Sequence, residues 1–250
     1  MLERALRNIR DGLLGLAYPE QCRVCGSPVE SWDDGIACAR CWDDPDVTRI
    51  LKGFVCDKCG FMVSLATAAG AQTRLCGMCS LLPFAAARAC GAYSGALEAS
   101  ILFLKTTPHI CPRLRSIICR TFAENRAKLE SDFVMPVPLH QLRERQRGFN
   151  QAAIIAKTIC RDFDLPFDDR ALARVKATER HRAGLDAIDR AQSVERAFKV
   201  STPDLLEGAS VLLVDDVYTT GSTVSAAAQT LIVAGAQKVN VLTIARVTER

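Results

Sequence analysis

Apolar positions change their period along the chain, and each period predicts a different element. Leu2, Leu6, Ile9 and Leu13 recur at spacings of four and three, which predicts an amphipathic helix within residues 1–20. The stripe has no aromatic anchor of the kind that holds a helix at a membrane surface, so its expected role is docking on a domain surface. From about residue 85 onward, short apolar runs alternate with helical patterns. Helices are expected at Ala96–Lys105, Pro112–Leu129, Gly148–Phe163 and Ser222–Ala234, with Pro112 in a favourable first turn and Gly235 as a stop. Strands are expected at Phe133–Pro138, Val211–Asp215 and Val239–Ile244. Strands that are apolar on both faces and alternate with helices imply an α/β fold, a mostly parallel sheet with helices on both faces. In such sheets ligands bind beyond the C-terminal ends of the strands.

Composition adds one outlier. The chain has 250 residues, 49% hydrophobic and 24% charged, a globular profile, but it carries 12 cysteines. A chain of this length needs no disulfides to compensate for a small core. No apolar run reaches the ~18–20 residues that a membrane helix requires, and Gly12–Ala17 is too short for a signal segment. The expected compartment is the cytoplasm, where thiols stay reduced.

Eight of the cysteines form four C-x-x-C pairs: Cys22/Cys25, Cys38/Cys41, Cys56/Cys59 and Cys76/Cys79. Two thiolates two residues apart can point at one ion from a tight turn, and two such turns complete a tetrahedral shell. The gaps of 12 residues between the first two pairs and 16 between the last two suit zinc ribbons, with redox dithiols and iron as the competing chemistries. Spacing allows tandem sites or a cross-braced pair. A closed shell of four thiolates holds a fold and does no chemistry. The remaining Cys90, Cys111, Cys119 and Cys160 have no partner at ligand spacing; Cys119 and Cys160 are expected as buried small hydrophobes.

The net charge of +4 conceals its distribution. Residues 101–200 hold 19 Lys+Arg against 12 Asp+Glu, while both flanking segments are slightly acidic. A local positive field of this kind attracts phosphates or nucleic acid. Past it, the expected strand at Val211 ends in Asp215 and Asp216, followed by Thr219, Thr220, Gly221, Ser222 and Thr223 at a helix start. Backbone N–H groups at such a start form an anion nest, the hydroxyls add donors, and Gly221 permits close approach. The carboxylates repel a phosphate, so their partners are sugar hydroxyls, with or without Mg²⁺. A phosphate beside a diol describes a ribose 5-phosphate. The segment lacks both the Gly-Lys-Ser/Thr of a Walker loop and a dinucleotide G-x-G-x-x-G.

This stretch resembles the phosphoribosyl pyrophosphate (PRPP) loop of type I phosphoribosyltransferases. That resemblance implies that Asp215 and Asp216 hold the ribose hydroxyls and act in catalysis, and that Thr219–Thr223 hold the 5-phosphate. A second segment runs Pro138, Leu139, His140, Arg143, Arg145, Arg147, Gly148, Asn150 and Gln151. Three arginines at spacing two would diverge on a helix, so a loop converging on pyrophosphate is expected here. Pro-Val-Pro-Leu followed by Arg-Gly-Phe-Asn-Gln is similar to the competence protein F family, whose members join zinc-binding cysteines to a phosphoribosyltransferase domain. Nearly the whole chain takes part in the resemblance, which implies a helix at 1–20, a double zinc ribbon at 21–82 and a phosphoribosyltransferase-like domain at 83–250. Thr106-Thr107-Pro108 after Lys105, and Thr178-Glu179-Arg180-His181 in the basic stretch, depart from the family pattern.

Two functions follow from the resemblance. One is an enzyme that binds PRPP with Mg²⁺ and transfers or releases its phosphoribosyl group, in DNA uptake or nucleotide metabolism, with the basic 170–196 stretch closing over the site. The other is a non-catalytic PRPP sensor that binds single-stranded DNA or a DNA-uptake helicase. Trp32, Trp42, Phe54 and Phe61 are the candidate base-stacking residues near the cysteines, in a chain with only 6% aromatics.

Overall fold

A computed structural model describes residues 20–45, 55–62, 75–77, 79, 81–176 and 197–248. The helix expected within 1–20, Phe54 and residues 177–196 of the basic stretch lie outside the described residues. The centre is a four-stranded sheet of β1 (Ala86–Ala92), β2 (Phe133–Pro136), β5 (Ser210–Tyr218) and β6 (Lys238–Arg246). Its order is β1-β6-β5-β2 and every pair is parallel. A separate antiparallel pair, β3 (Leu172–Arg174) with β4 (Phe198–Val200), stands beside it.

Alternation along the strands sorts the core into two layers. Val134, Leu212, Val214, Leu242 and Ile244 face one cluster, shared with α2 (Gly95–Leu104), α3 (Pro112–Glu124) and α5 (Gln151–Phe163). Phe133, Met135, Val211, Leu213, Val239 and Val241 face the other, shared with α6 (Ser222–Val233). Helices on both faces of a parallel sheet is the expected class. The cysteine-rich part divides in the same way. Ile36, Ala37 and Trp42, near α1 (Ala39–Trp42), join the first layer, whereas Cys56, Cys59 and Cys79 join the second.

Side chains of the sheet domain clamp both cysteine-rich units. Arg113 pairs with Asp43 and stands 4.0 Å from Asp34, while Arg23 lies 4.8 Å over the Phe103 ring. Buried Arg88 on β1 donates to the carbonyl oxygens of Asp57 at 2.9 Å and Lys58 at 3.3 Å, and to Asn125 Oδ1 at 3.0 Å. An ordinary apolar strand would not hold an arginine, which is why the run Ala86–Ala92 does not read as one.

Several expectations change. Gly148 takes φ +79° and ends α4 (Gln141–Arg147), and Asn150 caps a separate α5, so the single helix expected from Gly148 begins three residues later. Helix α3 stops at Glu124, short of Leu129. Cys119 and Cys160 are only half-buried, the Cys119 thiol donating to Asp162 at 2.8 Å; Cys90 and Cys111 are the buried ones. Burial pushes the Cys90 thiol up to about 12, leaving it inert. No helix among the described residues is long and apolar enough to cross a membrane.

Candidate functional site

Asp215 and Asp216 lie near the C-terminal end of β5, on the edge of the sheet where β2, β6 and β1 also end. The apolar run before them is fully buried, which fixes the pair at the mouth of the sheet. Asp216 N–H donates to Asp215 Oδ1 at 2.9 Å. Burial, and then the neighbouring Asp216 charge, hold the Asp215 carboxyl well above the usual carboxylate range.

Cations and an amide stand around the pair. Gln151 opens α5, is 5% exposed, and donates Nε2 to Asp216 Oδ2 at 3.1 Å. Its Oε1 accepts from Arg147, the last residue of α4. Lys105 Nζ, at the end of α2, is 4.0 Å from Asp216 Oδ2. Burial lowers the pKa of Arg174 on β3, and the Asp215 charge opposes that fall. Sequence reasoning missed Lys105, which reaches the pair from an element remote in sequence, and had Arg174 only as part of the basic 170–196 stretch.

The arginine segment is helical, which corrects the expected loop. At about 100° per residue, Arg143 and Arg147 share a face one turn apart and Arg145 points away from them. Arg147 is half-buried against Gln151, whereas Arg143 and Arg145 are exposed. His140 caps α4, its Nδ1 accepting from Leu142 N–H at 3.3 Å. Asn150 is occupied on both sides: Oδ1 accepts from Ala152 N–H and Nδ2 donates to the Val137 carbonyl, both at 3.0 Å. Half-buried Pro138 and Leu139 carry the chain from β2 to His140. The structure therefore gathers Arg147, Gln151, Asp215 and Asp216, and gives His140, Gly148 and Asn150 the work of shaping the turns.

At the other end of the site Thr219, Thr220 and Ser222 are exposed, Thr223 is half-buried, and Gly221 caps α6 with φ +82°. The first-turn amides of a helix have no intrahelical acceptor and can turn to an anion, although Ser222 N–H here donates to Thr220 Oγ1 at 3.3 Å. A Cβ on Gly221 would lie 2.2 Å from Tyr218 Oη. Gly221→Ala is expected to cost about 1–3 kcal/mol, from the left-handed backbone and the displaced ring, and so to lower the melting temperature by several degrees in calorimetry. An unchanged melting temperature would show that Tyr218 yields freely.

The cysteine pairs are tandem. Cys22, Cys25, Cys38 and Cys41 form one cluster and Cys56, Cys59, Cys76 and Cys79 the other, the sulfur atoms of each within 4.8 Å of one another. The separations Cys25–Cys38 3.6 Å, Cys56–Cys79 3.2 Å and Cys59–Cys76 3.5 Å approach the ~3.8 Å that a tetrahedral shell with ~2.3 Å zinc–sulfur bonds demands. The Ser27 hydroxyl, and then its amide, hold the Cys25 thiol down at about 5, so this sulfur is a thiolate at neutral pH. Four soft donors with no open position fit a structural zinc ion.

Comparison with known proteins follows the same division. A family model for a double zinc ribbon domain matches residues 13–80, and one for a phosphoribosyl transferase domain matches residues 146–250. The competence protein F of Haemophilus influenzae is 37% identical over 114 residues, 45% of this chain and 49% of that protein. The DNA utilization protein YhgH of Escherichia coli K12 is 36% identical over 115 residues, 46% of this chain and 49% of that protein. The competence protein ComFC of Bacillus subtilis is 32% identical over 105 residues, 41% of this chain and 39% of that protein. The chain spans about half the length, or less, of these relatives. Domain matches and relatives agree: the chain joins a double zinc ribbon match to a phosphoribosyl transferase domain match and is similar to competence protein F and its DNA utilization relatives.

Proposed function

We propose that the protein binds PRPP at the C-terminal end of β5 and transfers or releases its phosphoribosyl group, in the setting of DNA utilisation or nucleotide metabolism. The observation that carries this reading is the placement of an acidic pair between a glycine-capped helix start and a set of cations. Asp215 and Asp216 accept from the ribose 2- and 3-hydroxyls, and Thr219–Thr223 donate to the 5-phosphate. Arg147, Lys105, Arg174 and exposed Arg143 face the pyrophosphate. Asp215 and Asp216 would also hold any Mg²⁺ bound with PRPP, which would offset part of the pyrophosphate charge. Bond breaking then separates the anomeric carbon from the pyrophosphate oxygen, which leaves with the electron pair. An acceptor nucleophile, or water, closes the new bond to the anomeric carbon and gives up its proton to solvent. Positioning and stabilisation of the departing charge supply the rate. The eight cysteines hold two zinc ions that keep the fold.

Pyrophosphate release from PRPP with Mg²⁺, measured across nucleobases and single-stranded DNA, tests turnover. Release by the wild type, falling on the order of 100-fold in Arg147→Ala, is expected. Equal release by both proteins, or none by either, contradicts the catalytic half.

A second reading, a PRPP sensor that contacts single-stranded DNA, draws on Trp32, which is 50% exposed on the first ribbon, and on the similarity to the DNA utilization protein YhgH. Trp42 is buried with its Nε1 donating to the Asp34 carbonyl at 2.8 Å, and Phe61 lies beneath Arg246. Trp42 therefore offers no stacking face, and one face of the Phe61 ring is taken by Arg246. Affinity for single-stranded DNA that falls with salt and is lost in Trp32→Ala supports this reading; salt-independent or absent affinity removes it.

A further inference from the structure

The second ribbon meets the loop at Thr219–Thr223 through one buried side chain. β5 and β6 pair with Tyr218 beside Arg246, so two strand ends bring a phenol ring and a guanidinium together where the loop begins. Arg246 is 4% exposed. Its Cζ lies 4.2 Å from the Tyr218 ring centre and 5.0 Å from that of Phe61, and its Nη1 donates to the carbonyl oxygen of Cys59. Cys59 belongs to the second cysteine cluster. Tyr218, itself 3% exposed, fills the space beneath Gly221, the residue that caps α6. Val247 N–H donates to the Tyr218 carbonyl at 3.0 Å, tying the two strand ends together.

A buried guanidinium keeps its place only while its partners do. If the knuckle at Cys59 loses its shape, Arg246 loses a charge-assisted bond, and the ring packed against it loses its support. We infer that Arg246 is a positioning residue that ties the assembled second ribbon to the geometry of the phosphate loop. The inference rests on the reading of Thr219–Thr223 as the 5-phosphate site. It predicts an asymmetry, because Lys105 and Arg147 reach Asp216 and Gln151 from α2 and α4, away from this contact chain: the 5-phosphate half of the site depends on Arg246 and the pyrophosphate half does not.

The test uses the full zinc-loaded chain and Arg246→Gln, titrated with ribose 5-phosphate and with inorganic pyrophosphate. Metal analysis and hydrogen exchange at the amides of 219–223 are read on the same samples. Expected results are roughly tenfold weaker ribose 5-phosphate binding, pyrophosphate affinity within about twofold, faster exchange in the loop, and partial recovery in Arg246→Lys. Equal weakening of both ligands, or wild-type exchange in the loop, overturns the inference. Wild type that binds neither ligand refutes the phosphate-loop reading instead, and the exchange comparison still decides the mechanical link. Should Arg246→Gln not fold, Tyr218→Phe combined with Gly221→Ala replaces it. Tighter ribose 5-phosphate binding than in Gly221→Ala alone supports the link, and equal affinities count against it.

Discussion

Cys56→Ser combined with Cys59→Ser is expected to cost the protein one zinc ion and to lower its melting temperature by about 10 °C or more. The ribbon has little core of its own, so metal binding and its folding are one process. The damage spreads because the same knuckle supplies acceptors to two buried cations: Arg88 donates to the carbonyls of Asp57 and Lys58, and Arg246 to that of Cys59. Each charge-assisted bond lost is worth about 1.5–3 kcal/mol, and each 1 kcal/mol lowers the midpoint by about 2–4 °C in a domain of this size. Metal analysis with calorimetry checks the expectation. Full zinc content, or a melting temperature within about 2 °C of wild type, would contradict it.

Asp215→Asn is expected to act in opposite directions on stability and on binding. Folding raises the proton affinity of this carboxyl through burial and the Asp216 charge. Above the usual carboxylate range the native state then binds more protons than the unfolded chain, so stability falls as pH rises through that window. The amide removes the penalty. Ligand-free Asp215→Asn should melt about 2–4 °C higher at pH 7, a gain of about 1 kcal/mol, with a flatter pH dependence than wild type. Affinity for PRPP should fall on the order of 100-fold, since the amide oxygen offers a ribose hydroxyl no charge-assisted bond and a cation no negative ligand. A lower melting temperature at pH 7 would mean that Asp215 is structural.

The sheet's central strands were legible because burial on both faces leaves unbroken apolar runs such as Val211–Val214. The cysteine pairs were legible because metal geometry imposes a spacing. Strand β1 was not, since Arg88 sits among alanines and a glycine and is satisfied by partners remote in sequence, Asn125 and two carbonyls of the ribbon. The arginine segment misled in a definite way. Spacing two spreads three side chains around a helix, yet Arg143 and Arg147 return to one face, and Gly148 ends the turn. Lys105 and Arg246 carry no local signal, and Arg174 shows only as one residue of the basic stretch, because long-range packing is what places them near the candidate site.

The most direct test of the central claim is calorimetric titration of the zinc-loaded chain with PRPP in the presence of Mg²⁺, run beside Asp215→Asn. One PRPP per chain, with binding lost or greatly weakened in Asp215→Asn, is the predicted result. No heat with the wild type, or the same affinity in both proteins, would contradict the assignment of the acidic pair and the Thr219–Thr223 loop to PRPP.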